Sequence, residues 1–266
     1  VLGALALWAF VIEPRHLVVR ERELVLPGWP ATLDGLRVGL VGDLHVGAPP
    51  MDRARTRRVL ERLAAQEADL LLFLGDLVDT KSLFRSEPSL THLSEDLRVL
   101  RAPLGVYAVL GNHDHWFGAR RVRDCLEHAE VPVLSNETRR VRFREAAFDL
   151  VGVDDAFTGH ADLLRSLEGS VGPRLVVTHT ADLFVDVPDD VSLTVAAHTH
   201  GGQVRLPIVG ALFVPSRFGT RFVRGHYVEG GRHLWVTSGV GNSMVPVRFG
   251  VPPEVVVLTL RSAARH

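Results

Sequence analysis

Residues 36–45 read LRVGLVGDLH, and the same phrase, an apolar run that stops on glycine and a polar residue, returns as LLLFLGDLVD at 70–79 and GVYAVLGNHDHW at 105–116. Short apolar runs that end abruptly read as strands buried on both faces. Between them lie amphipathic stretches. Residues 52–66 put Arg53, Arg57 and Arg58 on a wet face and Val59, Leu60 and Leu63 inward; residues 89–101 and 118–129 read as further helices, and 16–26 as a leading strand. After Ser135 the strands come closer together, at 138–143, 148–151, 175–178, 193–197, 225–229, 234–237 and 255–260, with one helix at 161–167. A βαβαβ half feeding a strand-rich half predicts an α/β protein with two stacked mixed sheets flanked by helices, a four-layer α/β/β/α sandwich and not a closed barrel. No internal repeat or long linker divides the chain, so residues 15–266 read as one catalytic domain.

Composition narrows the chemistry. The chain has 266 residues, 13 histidines, one cysteine (Cys125) and 30 Lys+Arg against 31 Asp+Glu, a formal charge of -1. One sulfur makes neither an intramolecular disulfide nor a thiolate zinc cluster, so any metal chemistry must use imidazole and carboxylate. A balanced charge supplies no global field for polyanions, which argues against a nucleic-acid polymer as partner. Attraction for anions must come from a local site.

Polar side chains at the carboxyl ends of buried strands are where α/β sheets place active sites. Five strand ends here carry ligand types suited to metals: Asp43 and His45 (GDLH), Asp76 (GDLVD), Asn112 and His113 (GNHD), His179 (VVTHTAD), and His198 and His200 (AAHTHGGQ). Singly these are common accidents. In this order they form a set that resembles the calcineurin-like metallophosphoesterases, over about residues 30–261. Pieces such as HTHGGQVRLP and PVRFGVPPEVVVLTL look like a bacterial membrane-anchored branch that includes phosphodiesterases and UDP-2,3-diacylglucosamine pyrophosphohydrolases.

The resemblance implies two divalent ions sharing one ligand. Asp43, His45, His200 and a shared Asp76 would make one set, and Asn112, His179, His198 with the same Asp76 the other. Such a donor set suits Mn, Fe or Zn better than Mg or Ca. Two metals bring four positive charges, two aspartates and a bridging hydroxide return three, and a phosphoryl group is attracted without a basic patch. Hydroxide, its pKa lowered from 15.7 to about 7, would be the nucleophile, and no catalytic Ser or Cys is needed. By resemblance His113 stabilises the transition state or protonates the leaving oxygen, with Asp114 holding its ring in the useful tautomer; the alternative for Asp114 is a cap on the helix beginning near Gly118. Asp79 would orient ligand imidazoles from behind. Candidates for substrate contact are His115, with Trp116 beside it, weighed against an ordinary surface or packing role, and Arg205 and Arg248, each weighed against a merely solvated charge. Two departures from the common family wording stand out: Gly42 precedes Asp43 where serine is frequent, and Ala197 precedes His198 where glycine is usual.

At the amino end, residues 1–12 (VLGALALWAFVI) are apolar throughout, too short for the ~20 residues of a bilayer span. The expectation is that residues 1–14 are the trailing part of a membrane anchor or signal segment, which makes the protein membrane-associated on an undetermined side; the alternative is a helix packed on the core. Together these readings predict a metal-dependent phosphoric ester hydrolase that cleaves phosphodiester or pyrophosphate bonds, on a lipid-linked or cell-envelope substrate such as UDP-2,3-diacylglucosamine. A phosphomonoesterase on soluble substrates and a non-catalytic metal-binding scaffold are the alternatives.

Overall fold

The computed structural model describes residues 2–263. A helical segment of three joined pieces, α1 (Leu2–Leu7), a wider turn at Trp8–Ile12 and a tight one at Glu13–Arg15, leads into β1 (Val18–Leu26). Then follow β2 (Leu36–Val41), α2 (Arg53–Ala64), β3 (Leu70–Leu74), α3 (Leu90–Leu97), β4 (Val106–Val109) and α4 (Asn112–His128). The second half supplies β5 (Glu137–Phe143), β6 (Ala146–Gly152), α5 (Leu163–Leu167), β7 (Arg174–Thr180), β8 (Leu193–Ala197), the short β9 (Arg205–Leu206) and β10 (Gly210–Ala211), β11 (Gly225–Glu229), β12 (Arg232–Val236) and β13 (Glu254–Ser262).

Two mixed sheets stack face to face. One has the order β1-β13-β2-β3-β4 and the other β11-β12-β8-β7-β6-β5. Strand alternation decides which side chains meet between them. Leu36, Val38 and Leu40 of β2 and Leu70, Leu72 and Leu74 of β3 point inward against Phe148, Leu150, Leu175, Val177 and Val195 of the second sheet. The intervening Val41, Leu71 and Phe73 point outward, where Val59, Leu60, Leu63, Leu93, Leu97, Val122 and Leu126 of α2, α3 and α4 cover them. The second sheet's outer face packs Val151 and Val176 under Leu163 and Leu167 of α5. The four-layer α/β/β/α architecture follows from that two-sided burial.

Parallel pairing fixes where the strands point. β2, β3 and β4 run parallel in one sheet, and β6, β7, β8 and β12 in the other. The carboxyl ends of β2, β3, β4, β7 and β8 therefore open on a common rim.

The amino-terminal segment corrects the expectation that residues 1–14 are part of a membrane anchor that makes the protein membrane-associated. Of the apolar run at 1–12, Val1 lies outside the described residues; the remainder belongs to a helical stretch of 14 residues, and no helix among the described residues is long and apolar enough to cross a membrane. Its far end is tied to the body of the protein. Glu13 is buried and accepts hydrogen bonds from Val251 N at 2.6 Å and Trp8 Nε1 at 2.6 Å, while Arg248 N donates to Ala9 O.

Candidate metal centre

The rim gathers the candidate ligands. Asp43 and His45 follow β2, Asp76 follows β3, Asn112 opens α4 just past β4, His179 ends β7, and His198 and His200 follow β8. All seven are buried. Asp43, His45 and His200 bring one ligand atom each within 4.8 Å of one another, as do Asp76, His179 and His198; His45, Asp76 and His113 form a third such group. Asp76 links the halves, its Oδ2 standing 3.6 Å from His45 Nε2 and 3.3 Å from His179 Nε2.

The donors fit a cation. His179 Nδ1 lies 2.7 Å from Leu74 O, to which it donates, so its Nε2 is free to act as a ligand. Around that Nε2 stand Asn112 Oδ1 at 3.1 Å, His198 Nδ1 at 3.0 Å and Asp76 Oδ2. Several acceptors converging on one point need a positive charge between them. A second pair of imidazole nitrogens, His45 Nε2 and His200 Nε2, meets at 3.1 Å, and the buried Asp43 Oδ2 has no hydrogen-bond partner. Burial, opposed by His179 and reinforced by Asp76, raises Asp43 to about 6. Burial also disfavours charge on His179, yet Asp76 and Asp43 push it up to about 10. Burial and its histidine neighbours hold His198 down to about 4 and His200 well below its ordinary value. Burial likewise disfavours charge on His45, yet Asp79, Asp76 and Asp43 favour its charged form, so positive charge is drawn to the point where the donors converge.

Backbone conformation marks the same residues. Asp43, His45, Asp76, His198 and His200 all have φ between 47° and 71°, the left-handed region that non-glycine residues rarely enter and that costs of order 1–3 kcal/mol each. Each strand thus ends in a sharp reversal that throws a ligand across the rim. Close packing leaves no room for methyl groups beside them. A Cβ on Gly111 would come within 2.3 Å of Asp76 Oδ1, and one on Gly239 within 2.4 Å of Asp43 Oδ2. The N–H of His113, in the first turn of α4, donates to Asp76 Oδ1 at 2.8 Å, so the positive helix end also holds that carboxylate. Burial works against ionisation of Asp76, but His179 and its other histidine neighbours bring it well below the usual carboxylate range.

The two departures in wording compensate. A Cβ on Gly42 would stand 2.6 Å from Cβ of Ala197. The methyl gained before His198 occupies the space given up before Asp43.

Asp79 lies 3.4 Å from His45 Nδ1 and 3.8 Å from His113 Nδ1 and is fixed by Ser82 N and Oγ. Asp114 is placed differently from the expected tautomer-holding role. Its Oδ1 accepts from Leu77 N and Val78 N and its Oδ2 from Gly111 N. It therefore caps α4 at Asn112, not near Gly118, where φ of 124° merely kinks the helix. Thr80 N and Oγ1 hold His113 Nδ1 instead, at 3.2 and 2.9 Å.

Of the candidates for substrate contact, Trp116 lines the cavity beside the site. His115 turns away: Nε2 lies 2.8 Å from Asp154 Oδ1 and the ring stacks on His160 at 4.1 Å. Arg205 is exposed on the β9–β10 ribbon and outside the cavity lining. Arg248 is fully buried and cannot reach substrate. Its Nε donates to Gly241 O and Asn242 Oδ1, its Nη1 to Val251 O, and its Nη2 to Ser238 O, Gly239 O and Gly241 O. It holds the loop whose Gly239 presses on Asp43.

Sequence reading also passed over much of the cavity wall. A cavity of about 600 Å³ opens on Asp76, Asn112, His113, His198 and His200, with Lys81, Phe157, Leu212, Phe213, Met244 and Val245 among its other walls. Phe157 stands 5.0 Å from the His198 ring and 6.1 Å from Trp116, and Lys81 Nζ lies 4.8 Å over Trp116. Exposed aromatics at Phe157 (52%) and Phe213 (69%) were the available signal, visible only once the loops are folded.

Two mixed sheets whose strand ends aim imidazoles and carboxylates at a shared aspartate define a class, the metal-dependent hydrolases of α/β/β/α type. The chain belongs to the calcineurin-like phosphoesterases: the sequence model of that family, described as "Calcineurin-like phosphoesterase", matches residues 36–202. The chain is 34% identical over 201 residues to the phosphodiesterase YaeI of Escherichia coli (strain K12), covering 73% of this chain and 71% of that protein. It is 27% identical over 261 residues to the uncharacterized metallophosphoesterase YkuE of Bacillus subtilis (strain 168), covering 96% and 89%. Among solved structures, Haemophilus influenzae NAD nucleotidase aligns with a TM-score of 0.50 at 15% identity, covering 77% of this chain and 45% of that one, a likeness of fold alone. The chain is thus a metallophosphoesterase, a hydrolase of phosphoric esters, in a family that uses divalent metals.

Proposed function

We propose that this chain hydrolyses a phosphodiester or pyrophosphate bond in a substrate with a large apolar part, a lipid-linked molecule such as UDP-2,3-diacylglucosamine being the chemical type. The cavity carries the reading. It holds candidate ligands, and most of its other walls are aromatic and aliphatic side chains, with Lys81, Thr199, Gln203 and Ser243 among them, a combination that suits a phosphate joined to an apolar group. Asp43, His45, His200 and the shared Asp76 would hold one ion, and Asp76, Asn112, His179 and His198 a second, with Mn, Fe or Zn the best match to these donors. Divalent ions there supply Lewis-acid polarisation of the phosphoryl oxygens and an acidified water at neutral pH.

The chain's own residues do the rest. Thr80 N donates to His113 Nδ1, which leaves the imidazole proton on Nε2 as a donor to a phosphoryl or leaving oxygen. Burial and His45 keep this histidine neutral, down to about 3. Asp79 orients His45. Trp116, Phe157 and Phe213 exclude water and grip the apolar group, and Lys81 adds a cation at the cavity edge.

The test is hydrolysis by the purified chain of an acylated nucleotide-sugar diphosphate, its deacylated counterpart, bis-p-nitrophenyl phosphate and p-nitrophenyl phosphate. The acylated substrate should show a KM at least tenfold lower than the deacylated one, and Phe213→Ala should erase most of that difference. A preference for the monoester, or indifference to the acyl chains, refutes the assignment.

A further inference from the structure

A second cavity, of about 350 Å³, lies beside the amino-terminal end of α2 and shares no lining residue with the metal cavity. Arg15, Arg55 and Arg58 line it together with Met51, Asp52 and Phe84. Arg55 is only 8% exposed. Its side chain makes no hydrogen bond or ion pair among the described residues, and Nε and Nη2 are buried without any partner. Guanidinium groups are almost never buried unpaired, and an unsatisfied buried charge points to a ligand that belongs there.

The surrounding charges sharpen this. On another side of the same helix the arginines have found acids: Arg53 pairs with Glu95 and Asp96, and Arg57 approaches Glu61 and Asp96. On the cavity side only Asp52 is acidic, and its Oδ1 caps the helix by accepting from Arg55 N at 2.7 Å. Three guanidiniums face one carboxylate. Burial, Arg58 and Arg15 all push Arg55 below its ordinary value, with Asp52 alone opposing. An anion would relieve both the missing hydrogen bonds and the like-charge repulsion, and guanidiniums match phosphate geometry bidentately.

We infer that this cavity is an anion site, distinct from the metal centre, that takes a phosphate group either free or as a monoester. Phe84, an exposed ring in the lining, offers apolar contact to whatever the phosphate carries.

Equilibrium dialysis of the metal-loaded chain against radiolabelled inorganic phosphate tests it. The wild-type chain should bind one phosphate more than Arg55→Met, whatever the metal centre binds, so the count does not depend on the proposed activity. Arg15→Gln/Arg58→Gln, changed only at exposed positions, should weaken the same site at least tenfold. Phenyl phosphate should compete several-fold better than inorganic phosphate, and chloride at equal concentration should not compete. Removing the unpaired charge should leave Arg55→Met melting no lower than wild type in phosphate-free buffer, whereas phosphate should raise the wild-type Tm more than the variant's. Equal phosphate counts and affinities in wild type and both variants, or equal competition by chloride, overturn the site.

Discussion

The compensating pair at Gly42 and Ala197 makes a quantitative prediction, because each residue directly precedes a candidate ligand. A Cβ on Gly42 would stand 2.6 Å from Ala197 Cβ and 3.4 Å from both Leu74 Cβ and Thr237 Cγ2. Ordinary carbon contacts begin near ~3.5 Å, so Gly42→Ala requires about 1 Å of separation between β2 and β8. Overpacking of that kind costs about 1–3 kcal/mol. The backbone conformation is no obstacle, since Gly42 does not have a positive φ. Ala197→Gly alone should cost about 1 kcal/mol through lost burial and a freer unfolded chain. The double variant should recover most of the Gly42→Ala loss, a coupling of about 1–3 kcal/mol. Urea unfolding of the four proteins measures the cycle, and metal content gives an independent reading, since Asp43 and His198 move with the strands. Strict additivity, or a Gly42→Ala variant as stable and metal-replete as wild type, would refute the packing argument.

Arg248→Met should lose about 3 kcal/mol or more in thermal or denaturant unfolding, because several buried carbonyls lose a charged donor. Its kcat should fall with KM little changed, as expected of a residue that positions the loop over Asp43 and never meets substrate. Asp149 tests a pH dependence away from the site. Burial acts to raise its carboxyl, but Arg140 at 2.8 Å and the N–H groups of Gly172 and Val171 bring it below the usual range. A depressed carboxyl stabilises fully above its unfolded value near 3.9 and loses that contribution as pH falls through the folded one. Asp149→Asn should therefore cost about 2 kcal/mol at pH 7, and the gap to wild type in urea unfolding should narrow steadily as pH falls below about 4; a gap independent of pH contradicts it.

Much of the fold was legible because its strands are short apolar runs cut off by glycine and acid. The edges were less so. The helix read at 118–129 already starts at Asn112, where Asp114 caps it, and Gly118 only kinks it. The two-residue strands β9 and β10 are too short for any periodicity to register. For the site, residue types and spacing named the groups that converge, whereas the left-handed backbone at Asp43, His45, Asp76, His198 and His200 leaves no mark in side-chain identity. Arg248 shows the limit most plainly. An arginine near a glycine-rich turn reads equally well as a phosphate clamp or a solvated charge, and the fold makes it neither. Arg55 was missed for a related reason, since in a helix with four arginines near its start only packing tells which is buried.

The central claim is that Asp76 joins two halves of one metal centre and that hydrolysis depends on it. The most direct test is metal analysis of purified, dialysed wild type and Asp76→Asn alongside hydrolysis of bis-p-nitrophenyl phosphate. The wild-type chain should carry about two divalent ions and lose its activity on chelation, and Asp76→Asn should lose most of both. A variant with undiminished metal and turnover, or a chelated wild type still fully active, would contradict the account.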